Sequence, residues 1–285
     1  MSLLSYDFMQ RALVAALLVG LAAPAVGVFL VQRRMALMGD GIGHVALTGV
    51  ALGFLLGTAP VLTAVVVATL GAVVIELVRQ HGRTSGDVAL ALLFYGGIAG
   101  GVLLIGLADD GGNAALLSYL FGSLTSVAPA DLAVIAGLSL VLLVVLAVVG
   151  RELFAVCHDE EYARVAGLPV RTLNLLLAVL AAVTVTVAMR VVGLLLVSAL
   201  MVVPVATAQQ LVRGFRGTVV VALGVGVVSA LAGVTGSYYA DTAPGAFIVV
   251  VALAGFAVAS AVGALRRRPR RVRAPAVALL PEAGP

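Results

Sequence analysis

Asp40 and His44 stand in the run Met35-Ala36-Leu37-Met38-Gly39-Asp40-Gly41-Ile42-Gly43-His44-Val45-Ala46-Leu47-Thr48-Gly49-Val50, with long apolar segments on either side. On a helix this i, i+4 spacing puts a carboxylate and an imidazole on one face. Their oxygen and nitrogen are ligand types suited to divalent zinc, manganese or iron. In hydrocarbon the same groups are penalised: an Asp near the centre of a membrane helix costs about 2.5 to 3.5 kcal/mol on insertion scales. An ion, a water-filled path or another side chain has to offset that cost. Two ligands alone hold an ion loosely, which suits a site that must release what it binds. The plainer reading is an internal clasp, with His44 hydrogen-bonding Asp40 or a neighbouring carbonyl. Spacing alone leaves both readings open.

The rest of the chain sets the environment of this pair. It has 285 residues, 62% hydrophobic and 11% charged, with a mean hydropathy of +1.21. Soluble domains carry about 25% charged residues. The expected fold is therefore all-α, a polytopic membrane helix bundle. All 17 basic residues are arginine. Without lysine there is no G-x-x-x-x-G-K-[ST] phosphate-binding loop, so the chain is not an ATPase of that class. A pI near 9.7 reflects arginines at helix ends and in one terminal cluster, which suits membrane-helix flanks better than nucleic acid. The lone Cys157 supports no disulfide framework. Asp7 and the lack of an early positive cluster argue against a cleavable leader, and the apolar run 12–30 is long enough to span.

Apolar runs of about 20 residues fall near 11–31, 41–57, 60–79, 87–107, 131–150, 171–189, 191–211, 218–236 and 244–265, giving about nine transmembrane helices. The stretch 113–127 is shorter and holds Ser118, Ser123, Thr125 and Ser126, which suggests a re-entrant segment packed against protein. Arg33, Arg34, Arg79, Arg83, Arg151, Arg164, Arg171, Arg213, Arg216 and the tail arginines from Arg266 to Arg273 alternate onto one side. Arg11 and Arg190 are exceptions. The positive-inside rule then places the N-terminus outside and the tail in the cytoplasm. Residues 1–265 read as a single transmembrane domain and 266–285 as a basic, Pro-rich cytoplasmic tail without fixed structure. Gly96, Gly97, Gly100, Gly101 and Gly106 form a small-residue stripe suited to close helix packing.

Two further segments carry possible function. The longest hydrophilic stretch between spans, about 151–170, lies on the inner side and contains Glu152, His158, Asp159, Glu160, Ala163, Arg164 and Gly167. Leu153, Val156, Tyr162, Val165 and Leu168 could give it one apolar side on short helices, with Gly167 as a C-terminal stop before Pro169. A cytoplasmic partner could dock there, or the stretch could simply connect two spans. His158-Asp159-Glu160-Glu161 imitates a metal cluster, but consecutive helical residues do not face one ligand. The second segment runs from Val192-Gly193 to Ala208, where Pro204 removes a helical hydrogen bond and bends or breaks the span. Glu76 and Asp241 are weaker metal-ligand candidates, each read more simply as a snorkelling or capping residue.

Taken in order, these stretches resemble the permease subunits of ABC-type zinc, manganese and iron importers (the ABC-3 family). The match rests on Arg33-Arg34-Met35-Ala36, Gly39-Asp40, His44 and Gly49. It extends through Arg83-Thr84-Ser85-Gly86-Asp87-Val88-Ala89, Ser118-Tyr119-Leu120-Phe121-Gly122-Ser123, Ala163-Arg164-Val165-Ala166-Gly167 and the segment with Gly193 and Pro204. The resemblance implies a type II importer-like permease with no permanently bound cofactor. It implies a second permease copy, two cytoplasmic ATP-binding subunits that use the ATP, and an extracytoplasmic solute-binding protein that delivers the metal. Under it, Asp40 and His44 contact the transported divalent ion or form an inner gate. The 151–170 segment becomes the element that couples to the ATPase, and Gly193 and Pro204 shape the pore helix.

Other classes fit less well. An ion-coupled secondary transporter usually carries more ionisable residues at depth. An intramembrane aspartyl protease could pair Asp40 with Asp87, yet neither Leu37-Met38-Gly39-Asp40 nor Thr84-Ser85-Gly86-Asp87 has the leading glycine of Gly-x-Gly-Asp. A permease for siderophore- or cobalamin-type chelates would share the architecture, but a chelate brings its own ligands.

Overall fold

The computed structural model describes residues 6–80, 86–107, 119–123, 128–189 and 191–266. Without water in hydrocarbon, only a helix or a closed barrel satisfies its own backbone groups. The apolar runs accordingly fold as helices: α1 (Asp7–Gln32), α2 (Met38–Leu55), α3 (Pro60–Gln80), α4 (Gly86–Gly106), α5 (Pro129–His158), α6 (Glu160–Val165), α7 (Val170–Ala188), α8 (Leu194–Leu211), α9 (Phe215–Ala240) and α10 (Pro244–Arg266). A further single helical turn lies at 119–121, and no strand occurs among the described residues. Eight of the described helices are long and apolar enough to cross a membrane; α8, with a shorter apolar stretch at Leu196–Leu211, occupies the place of the remaining expected span, 191–211. The chain is a multi-pass integral membrane protein.

Three helices make the interior. In their most apolar stretches α1, α2 and α7 have 72%, 61% and 67% of residues buried, against 17% to 39% for the other five. α1 packs on α5, α7, α8 and α9, whereas α2 packs on α3, α4, α7 and α8. Small residues allow this crowding. The buried side of α1 is rich in small residues (Ala12, Ala15, Ala16, Gly20, Ala22, Ala23), and a Cβ at Gly27 would overlap the Met201 carbonyl of α8. Without a hydrophobic drive between helices, such close packing is the main source of association in lipid.

The discontinuity in the α7–α8 region falls at Gly193, not at Pro204. Gly193 has φ of +86° and forms the N-cap of α8, and that helix continues through Pro204 to Leu211. Proline removes one i→i−4 bond, but Val197, Leu200, Met201, Val205 and Ala208 are buried on both sides of it, so packing keeps the helix in one piece. The turn at Gly193 lies directly against the backbone at Gly122, whose φ is +75°. A Cβ on Gly193 would fall 2.6 Å from the Gly122 nitrogen, and one on Gly122 would fall 2.9 Å from the Gly193 nitrogen. Both glycines are required by sterics and by backbone conformation. The rest of the expected re-entrant stretch 113–127, and the tail from 267 to 285, lie outside the described residues.

Gly193→Ala is expected to cost about 2 kcal/mol or more of stability, seen as a lowered thermal midpoint by circular dichroism in detergent. Gly224→Ala, where an added Cβ meets nothing within 4 Å, is the control and is expected to leave the midpoint unchanged or raised.

Candidate metal site

α1 ends in a turn that fixes where α2 begins. Met35 N donates to the Leu30 carbonyl at 2.8 Å and Arg34 N to the Val31 carbonyl at 3.0 Å, with Arg34 left-handed at φ +59°. This is the two-bond Schellman termination, with Arg34 where glycine is usual. α2 then starts at Met38 and places Asp40 in its first turn. The partial positive charge of a helix N-terminus favours a carboxylate there.

Asp40 and His44 do face one side of α2, toward α4 and α8. Ser198 Oγ of α8 approaches Asp40 Oδ1 at 3.5 Å, at the far limit of a hydrogen bond. Asp40 also lines a cavity of about 400 Å³ with Leu37, Leu90, Ala91, Phe94 and Tyr95. One turn deeper, the His44 and Phe94 rings meet in a T-shaped contact with centroids 4.5 Å apart. Its Nδ1 is buried and has no hydrogen-bond partner, so that nitrogen is not engaged by Asp40. Ser139 and Ser260 Oγ share that condition, but a serine hydroxyl can rotate to the carbonyl four residues back. An imidazole cannot, and leaving it unpaired is costly.

The small-residue stripe on α4 brings the helices together at this point. A Cβ on Gly97 would sit 2.6 Å from Val45 N and 2.7 Å from the His44 carbonyl carbon, and one on Gly100 would meet Thr48 at 3.2 Å. Thr48 Oγ1 donates to the Gly97 carbonyl at 2.8 Å. Gly101 contributes through Leu47, whereas Gly96 and Gly106 face open space. The contact stripe is therefore narrower than the five glycines suggested.

The weaker candidates do not join the pair. Glu76 is 1% exposed, and its carboxylate is held by Arg79 Nε and NH2, each at 2.8 Å, and by Gln80 Nε2 at 3.0 Å. Asp241 is exposed and left-handed at φ +49°, capping the far end of α9. Among the described residues no three His, Cys, Asp or Glu side chains cluster as a metal cage.

The polar segment is more ordered than a connecting loop. α5 continues to His158, with Leu153 and Val156 turned into the core. His158 stacks on Phe154, and Asp159 caps α6 by accepting from Tyr162 N at 2.9 Å. Ala163 is fully buried. Gly167, at φ +81°, ends α6, with Leu168 N bonded to the Ala163 carbonyl at 3.0 Å and Gly167 N to the Arg164 carbonyl at 3.1 Å. The five apolar residues do not form one side: Tyr162 and Val165 are 68% and 88% exposed. Glu152 and Arg164 also point outward. Glu160 is engaged by Arg33 NH2 at 2.8 Å and Arg164 NH2 at 3.2 Å. Arg33 also donates to Asn174. Neither Arg33 nor Asn174 stood out as a site residue in the sequence, because each lies more than a hundred positions from its partner.

Comparison with known proteins agrees with this architecture. The chain is 37% identical over 258 residues to the manganese transport system membrane protein MntC of Halalkalibacterium halodurans, covering 90% of this chain and 88% of that one. It is 32% identical to the chelated iron transport system membrane protein YfeD of Yersinia pestis, covering 90% and 85%. Among solved structures, PsaBC from Streptococcus pneumoniae in complex with Fab superposes with a TM-score of 0.81 at 31% identity, covering 90% and 92%. Residues 5–263 match the ABC 3 transport family, and this chain belongs to that family.

Proposed function

We propose that this chain is the permease subunit of an ATP-driven importer for a divalent transition metal ion, and that Asp40 and His44 contact the ion in transit. The observation that carries the site is the buried, unpartnered Nδ1 of His44, one turn from a carboxylate that opens on a cavity. A neutral imidazole and a carboxylate supply two ligands. Water, backbone oxygen or a second copy of the chain completes the shell, and an incomplete cage suits release. Manganese is the first candidate, because relatives such as MntC bear that name; iron and zinc accept the same ligands.

The remaining assignments follow the same reading. The end bearing Arg33, Arg79, Arg151, Arg164, Arg171, Arg213 and Arg216 faces the cytoplasm, so the N-terminus is outside. Asp40 then lies near the cytoplasmic mouth, where it can act as a gate as well as a ligand. A second permease copy, two ATP-binding subunits and an extracytoplasmic metal-binding protein complete the transporter. The exposed Tyr162 and Val165 of α6 offer the ATP-binding subunit an apolar handle. Its closure on ATP changes which side of the path is open. A bare ion fits better than a chelate, since a chelate already fills the coordination that Asp40 and His44 offer.

In proteoliposomes holding the complete transporter, Asp40→Ala and His44→Ala are each expected to reduce ATP-dependent metal uptake by about tenfold or more, with insertion unchanged. Full uptake by both variants contradicts the site. Elemental mass spectrometry of expressing cells offered manganese, zinc and iron together is expected to find one metal raised. No rise in any metal contradicts the bare-ion reading.

A further inference from the structure

The turn between α1 and α2 is bound to the polar segment through one side chain. The Arg33 side chain is 7% exposed, and its NH2 donates to Glu160 Oε2 at 2.8 Å. Its NH1 donates to Asn174 Oδ1. Asn174, in α7, is itself 4% exposed. A guanidinium so enclosed is stable only where a carboxylate and an amide receive it, and its planar fork is what reaches both at once. Three elements therefore meet on Arg33: the α1–α2 turn, α6 and α7. A second bond ties α3 to the same place, from Gln80 Nε2 to the Arg171 carbonyl at 3.3 Å.

The path from Arg33 to Asp40 is short and stiff. The turn is closed by the Leu30–Met35 and Val31–Arg34 bonds, and Met38 N reaches the Met35 carbonyl at 3.0 Å. Asp40 follows within the first turn of α2. On the other side of the joint, α6 presents Tyr162 and Val165 outward while Ala163 is buried. The Arg33–Glu160 ion pair joins this outward-facing helix to the turn that leads into Asp40.

We propose that Arg33 is a positioning residue: by holding Glu160 and Asn174 it fixes the first turn of α2, and with it Asp40, to α6. Movement of α6 then resets the geometry at Asp40. This rests on the permease reading above.

The test measures metal moved per ATP hydrolysed by the complete transporter in proteoliposomes. Glu160→Gln, which leaves Arg33 its Asn174 partner, is expected to lower that ratio about fivefold or more. The swap Arg33→Glu with Glu160→Arg is expected to recover most of the loss, since the Asn174 amide can turn its NH2 toward the new carboxylate. A wild-type ratio in Glu160→Gln, or a swap no better than the single variant, overturns the proposal. If the swap does not insert, Arg33→Lys replaces it: the charge stays but the fork is lost, so the ratio is expected to fall, and an unchanged ratio overturns the proposal. A wild-type complex that moves no metal with ATP removes the permease reading and this proposal together. A coupled wild type with equally coupled variants removes this proposal alone.

Discussion

Lipid offers a buried charge nothing to bond with, so each polar group inside this bundle depends on a partner that the protein itself supplies. Glu76 is answered by Arg79 and Gln80, and Arg33 by Glu160 and Asn174. Buried threonines of α7 answer themselves: Thr184 and Thr186 donate to carbonyls four residues back. Among the described residues the Asp40/His44 face of α2 is weakly answered, with a 3.5 Å approach from Ser198 and an imidazole nitrogen with no partner. A helix carrying that deficit is held in place by packing elsewhere, and the deficit is what makes the face chemically available.

That packing comes from small residues. Gly97 and Gly100 let α4 lie against the backbone of α2 at His44 and Thr48, and Gly49 and Gly53 let α3 approach its other side. The result is a narrow, well-registered contact between α2 and α4. Phe94 beside His44 and the cavity beside Asp40 are consequences of that register. Larger residues at the glycines would separate the helices and open the site to lipid.

How much was legible in the sequence follows from the range of the interactions. The spans were legible because 20-residue apolar runs have one outcome in a bilayer. Asp40 and His44 were legible because both residue types are out of place there. Gly167 was readable as a stop because Pro169 follows it, and it does close α6. The joint at Arg33 was not, since its partners lie 127 and 141 residues away. Gly193 was marked together with Pro204 through the resemblance, but the reason the chain turns there was not legible, because the Gly122 backbone that demands it comes from a distant segment; Pro204 advertised a bend or break, yet the helix runs on through it. Glu76, a weaker ligand candidate read more simply as a snorkelling residue, is occupied by a bidentate arginine one turn along α3.

The central claim is that His44 supplies nitrogen to the transported ion. Pulsed electron paramagnetic resonance of Mn2+ added to the purified permease complex reads this directly, because a bound imidazole nitrogen couples to the manganese spin. A nitrogen coupling present in the wild-type protein and lost in His44→Ala, with oxygen-only coordination remaining, is the expected result. A nitrogen signal that survives the substitution, or a wild-type spectrum identical to that of hydrated manganese, contradicts the account.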